Sequence, residues 1–113
     1  MNDNVFLEKI VKVLTDGYAI KILVATTKEG KSAIELSQEL DVPIAACYRR
    51  LHALEEVGLV DSQEKITPKG KKMRLYRSKV KKADIKIEDN VLIIELAYIN
   101  GNVKKYRGKI IAG

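Results

Sequence analysis

Between Ile34 and Val60 the chain reads IELSQELDVPIAACYRRLHALEEVGLV, two apolar helical rhythms broken only at Asp41-Val42-Pro43. That short break constrains the fold more than any other feature. Two helices joined by so tight a turn must pack on each other at a steep angle. Their ends are marked in the sequence. Ser32 and Glu35 form a capping-box pair, in which each side chain satisfies an unpaired amide of the first turn. The helix they open runs through Leu40 and buries Ala33, Leu36 and Leu40. Pro43 suits the first position of the next helix, where its missing N–H costs nothing. That helix continues to about Val57, and Gly58 fits the left-handed stop.

Two helices are expected upstream. Val5, Leu7, Ile10, Val11, Val13 and Leu14 follow a helical pattern, with Asp3 or Asn4 as a possible cap. After Asp16-Gly17, a second helix from about Tyr18 to Thr27 puts Ile20, Leu23, Val24 and Thr27 on one face. Downstream of Leu59 the pattern turns to strands. LVDS is a short strand, ITPKGK is a turn, and KKMRLYRSKV is a returning strand. A helix capped at Thr67-Pro68 is the alternative there, weakened by Gly70, Tyr76 and Val80. ADIKIE alternates, with Ala83, Ile85 and Ile87 on one face. Asp89-Asn90 turns the chain into VLIIELAYI, and Asn100-Gly101 is a hairpin signal leading into VKKYRGKII.

On the helix from Pro43, Ile44, Cys47, Leu51 and Leu54 form the expected inward stripe. Ala45, Tyr48, Arg49 and His52 fall on the opposite side. Small Ala45 and Ala46 near its start would let the backbone approach a partner closely. An exposed donor-rich face on the second helix of such a pair is the arrangement that enters a DNA major groove.

Charge supports this reading. The 113 residues carry a formal net charge of +6. From Lys65 to Lys82 there are nine Lys or Arg residues and no Asp or Glu. A hairpin so charged beside a recognition helix would lie along phosphates, and neutralising about six of them would make binding steeply salt-dependent.

The line from Ile34 to Val60 resembles the ArsR-like winged helix-turn-helix transcriptional regulators, in particular their archaeal versions. Leu36-Ser37, Leu40, Val42-Pro43, Tyr48-Arg49, Leu51, Leu54 and Gly58-Leu59-Val60 occupy the places of that family's pattern. LTDGYAIKILVAT is similar to its preceding helix, and KITPKGKKMRLYRS to its wing. Many relatives sense metals through a cysteine pair in the third helix. Here that helix, AIELSQEL, has no cysteine, and the lone Cys47 sits where the pattern has a core Val. Metal sensing is therefore not carried over, and no cofactor or metal is expected. The segment after residue 80 lies outside the family pattern.

The expected fold is α+β: a winged helix-turn-helix with an amino-terminal helix over residues 1–80, and a β-extension over residues 81–113. The expected partner is double-stranded DNA. Ile44, Ala45, Tyr48 and Arg49 would face bases, with Arg50 and His52 nearer phosphates. Lys65, Lys69, Lys71, Lys72 and Arg74 would form the electrostatic grip of the wing. A homodimer is expected, with the β-extension or the first helix as its seam. The chain lacks the long apolar run of a membrane span, a secretory leader, and the residue clusters of an enzyme, so a cytoplasmic binding protein is expected. Two other readings stand beside this one. One is a winged-helix protein-interaction module. The other is an RNA-binding domain using Tyr48 and Tyr76, though without a paired-aromatic platform.

Overall fold

A computed structural model describes residues 3–109. Four helices lead into five strands: α1 (Asp3–Leu14), α2 (Gly17–Ala25), α3 (Ala33–Leu40), α4 (Ile44–Glu56), β1 (Val60–Ile66), β2 (Lys72–Ser78), β3 (Val80–Glu88), β4 (Val91–Tyr98) and β5 (Val103–Gly108). The fold is α+β, a helix-turn-helix followed by a wing and a separate antiparallel sheet. β1 and β2 form the wing hairpin. A single bridge from Lys31 to Tyr76 adds a short third edge. The second sheet has the order β3-β4-β5. Lys79 joins the two sheets, its amide donating to Leu59 and its carbonyl accepting from Ile99, both at 2.9 Å.

Local chemistry explains most boundaries. The Ser32–Glu35 capping box is formed in full at the start of α3. α4 ends as expected at Gly58, whose φ of 76° only glycine adopts without strain. The amide of Leu59 reaches Leu54 and that of Gly58 reaches Glu55, which closes a Schellman motif. Asp89 and Asn90, at φ 49° and 66°, make the mirror-image turn that suits a two-residue hairpin. Residues 67–80 are turn and strand, not helix; Gly70 sits at φ 80° in the wing tip.

Several expectations shift. Pro43 is the N-cap of α4 and not its first helical residue. Its ψ of 138° is extended, while its carbonyl already accepts from Cys47. Asp3 and Asn4 lie inside α1, so the cap position falls outside the described residues. The last residues of the expected final strand, Ile110 and Ile111, lie outside them too. β1 runs on to Ile66, longer than the expected strand.

The largest shift is the phase of α2. Its buried residues are Ala19, Ile22 and Leu23, with Thr26 buried beyond its end, while Ile20 and Val24 are exposed. The period is the expected one, rotated by one residue. Asp16 caps α2 through the Ala19 amide at 3.0 Å and pairs with the Arg50 guanidinium at 3.2 Å. Burial raises the Asp16 pKa, but the Ala19 amide and Arg50 outweigh it, and the carboxyl titrates below its ordinary value. Its stabilisation is therefore present above the usual carboxylate range and is lost as pH falls through the lowered pKa. Asp16→Ala should cost about 1–2 kcal/mol at neutral pH, the usual loss for a capping carboxylate. It should also flatten the acid limb of a stability profile measured by urea unfolding.

α1 is wedged between α2 and α4 on one side and β5 on the other. Leu7, Ile10 and Val13 are buried, and Phe6 meets Tyr106 at 5.4 Å between ring centroids. Ile94, Leu96 and Tyr98 of β4 belong to the same core as the helices. Most of the apolar residues on α1 are thus used within the chain, Val5 being exposed. On the other face of β4, Ile93 is buried between Lys86 and Arg107 in register. The long aliphatic stems of such side chains cover apolar surface.

Candidate nucleic-acid interface

α4 is aimed by the turn before it. Asp41 takes a left-handed conformation at φ 55°, tolerable for an Asp. Val42 is buried as the plug of the turn, its amide held by the Ser37 carbonyl at 3.0 Å. With Ala46, Cys47, Leu51 and Leu54 buried, the helix turns Ala45, Tyr48, Arg49 and His52 to solvent. Ile44 joins this outer face at 42% exposure and is not part of the inward stripe. Ala46 is in the core, so Ala45 alone offers a close approach.

Arg50 stands elsewhere. It spans to α2, paired with Asp16 and stacked 5.3 Å from the centroid of the Tyr18 ring. That position holds α4 against α2 and makes Arg50 a structural residue. Arg49 points to the α1 side. With Lys12 and Ala53 it lines a cleft of about 380 Å³, whose rim is tied by the Lys9–Glu56 ion pair.

Tyr48 points to the wing. A second cleft of about 390 Å³ is lined by Tyr48 on α4, Ile34 on α3, and Thr67, Lys71, Met73 and Arg74 on the wing. The outer face of α4 and the wing therefore share one groove. Ile34 and Met73, exposed by 59 and 37%, add an apolar lining that the charge count did not find. The signal was present in the alternation of each segment, but not which side of it would face outward.

The charge of the wing is divided by strand register. Glu64, one residue before the basic run, stands opposite Arg74. It lies 3.7 Å from Arg74 and 3.8 Å from Lys72. Arg74 also donates to Ser62 at 2.9 Å, and Ser62 donates to Glu55 of α4 at 3.0 Å. Arg74 and Lys72 are thus partly engaged, and Arg74 ties the wing to α4. Lys65, Lys69 and Lys71 are exposed and have no carboxylate partner among the described residues.

Cys47 is buried, its thiol donating to the Ala33 carbonyl at 3.6 Å, and burial pushes its pKa up. A thiol in that state is a poor nucleophile and a poor ligand. No cluster of potential metal ligands occurs among the described residues. Tyr76 is 7% exposed, so it cannot stack on a base. Among the described residues, no helix is long and apolar enough to cross a membrane.

None of the curated proteins compared with the chain matches it. Residues 14–63, from the end of α1 through the first half of β1, match the family model of a helix-turn-helix domain; the match takes in α3, α4, their turn and the start of the wing.

Proposed function

We propose that the protein is a sequence-specific duplex-DNA-binding transcriptional regulator of the ArsR-like type, acting in the cytoplasm as a binding protein and not as an enzyme. The observation that carries this reading is the shared groove, where Tyr48 of α4 and Lys71 of the wing line one concave surface. α4 enters the major groove, with Ile44, Ala45, Tyr48 and Arg49 toward base edges and His52 nearer the backbone. Lys65, Lys69 and Lys71 lie on phosphates, while Lys72 and Arg74 contribute less because Glu64 shares their charge. Arg50 leaves the contact set. A single helix reads few base pairs, so two copies on two half-sites give the needed specificity.

Selection of bound duplexes from a random pool tests the reading, since it returns both a base preference and any half-site spacing. Arg49→Ala should relax preference at one position, at a cost of about 1–3 kcal/mol on the best site. Lys71→Ala should weaken all duplexes alike and reduce the salt slope by about one. If the pool returned no preference and binding did not depend on salt, the protein-interaction reading would take its place.

A further inference from the structure

Among the described residues, β3 is an edge strand that pairs with β4 and with no other strand. Its two faces are sharply unlike. Ala83, Ile85 and Ile87 lie on one, and Ile85 and Ile87 are 42 and 83% exposed. Lys82, Asp84, Lys86 and Glu88 lie on the other, in alternating sign. We propose that β3 pairs antiparallel with β3 of a second copy about a two-fold axis through Ile85, joining two three-stranded sheets into one. This deepens the two-copy reading above by placing its seam.

The register follows from charge. A two-fold axis normal to the sheet keeps each face continuous, so it must pass through a residue pair. Centred on Ile85, it sets Asp84 opposite Lys86 of the second copy and Lys82 opposite Glu88, each twice by symmetry. Ile85 meets its own equivalent, and Ala83 meets Ile87. Every charged position then faces the opposite sign, and the exposed isoleucines close an apolar strip. Centring on Asp84 brings Lys82 against Lys86 and Asp84 against itself. Centring on Lys86 brings Asp84 against Glu88. Charges on an edge strand ordinarily guard against pairing. A guard repels in every register, whereas this pattern repels when centred on the neighbouring charged residues, and only the register centred on Ile85 opposes all four charges by opposite signs.

Asp84 adds an independent reason. Across the sheet it stands opposite Glu95, a like charge, and its own cation, Lys82, is 3.8 Å away and largely in solvent. Like charges directly opposite are destabilising in a sheet, and a Lys86 on the far side offsets this. The other candidate seam, α1, buries Leu7, Ile10 and Val13 in the core and exposes only Val5 among its described large apolar residues. A strand pair of this size is a small interface, so dissociation in the micromolar range is expected without DNA.

Disulfide capture tests the register. Cys47 is buried and stays silent. Ile85→Cys places two thiols directly opposite each other, within the spacing a disulfide needs. Ile87→Cys places its two thiols about 13 Å apart by strand rise. Mild oxidation should cross-link the first variant and not the second. Sedimentation without DNA should show that Lys86→Glu weakens self-association at least about tenfold, since both Asp84–Lys86 attractions become repulsions. The exchange Asp84→Lys with Lys86→Asp should restore it. A wild-type protein monomeric through the hundred-micromolar range would overturn the proposal. So would a dimer that ignores the Lys86→Glu change, or equal cross-linking of both cysteine variants. None of these readouts uses DNA, so failure of DNA binding leaves the seam standing, and a monomer that still selects a duplex sequence removes the seam alone.

Discussion

Replacing Lys65, Lys69 and Lys71 together by Glu should lower affinity for any duplex about a thousandfold near 100 mM salt, with the fold unchanged. The three side chains are exposed and have no ion pair among the described residues. Removing them therefore breaks nothing inside the protein. On DNA each would neutralise a phosphate and release a counterion, so losing three should reduce the slope of log K against log salt by about three. The reversed charges add repulsion, which is why the expected loss exceeds that of three alanines. Fluorescence anisotropy on a selected duplex and on a scrambled one reads both quantities. Both duplexes should lose affinity alike, because phosphate contacts carry no sequence information. A loss under tenfold would mean that the wing does not lie on the backbone.

Leu54→Ala should remove about 2–5 kcal/mol of stability, a large share of what a domain of this size has. Leu54 is fully buried on the inner side of α4, and its carbonyl accepts the Leu59 amide that closes the helix. Little of the cavity can be refilled. α1, α2, α3 and β1 all pack on α4, so a collapse there would pull at four elements at once. The thermal midpoint should fall by about 8–20 °C, at roughly 4 °C per kcal/mol for a chain of this length. Protein concentration has to be held constant, because self-association would add to apparent stability. Ile44→Ala on the outer face of the same helix should change stability by no more than about 0.5 kcal/mol. If the two variants lost equal stability, α4 would be packed on a different side from the one described.

Much of the fold was legible in the chain because its signals are local. Ser32 and Glu35 cap α3 by reaching three residues along the chain. Gly58 and the Asp89-Asn90 pair adopt backbone angles that few other residues tolerate. The Asp41–Pro43 interruption left no room for anything but a tight turn between two helices. The outward face of α4 was legible for the same reason: Ala45, Tyr48, Arg49 and His52 recur at a helical period against a strongly apolar opposite side.

The tertiary structure alone decided questions that depend on distant neighbours. The α2 segment is apolar nearly all round, so its period is visible but its phase is not; Asp16 at its cap and the packing of Ala19 and Ile22 rotated it by one residue. Ile44 matched the inward stripe by spacing, yet it sits at the first turn of α4, beyond the reach of the core, and is exposed. The partner of Arg50, Asp16, lies 34 positions earlier and comes within pairing distance only in the fold. The basic run contains no acid in sequence, but antiparallel pairing set Glu64 opposite Arg74, because a strand's neighbours are chosen by register and not by chain order. The alternation of β3 showed that Ala83, Ile85 and Ile87 share a face. Whether that face is covered depends on where α1 lies across the sheet, and α1 covers the β5 side while leaving β3 open.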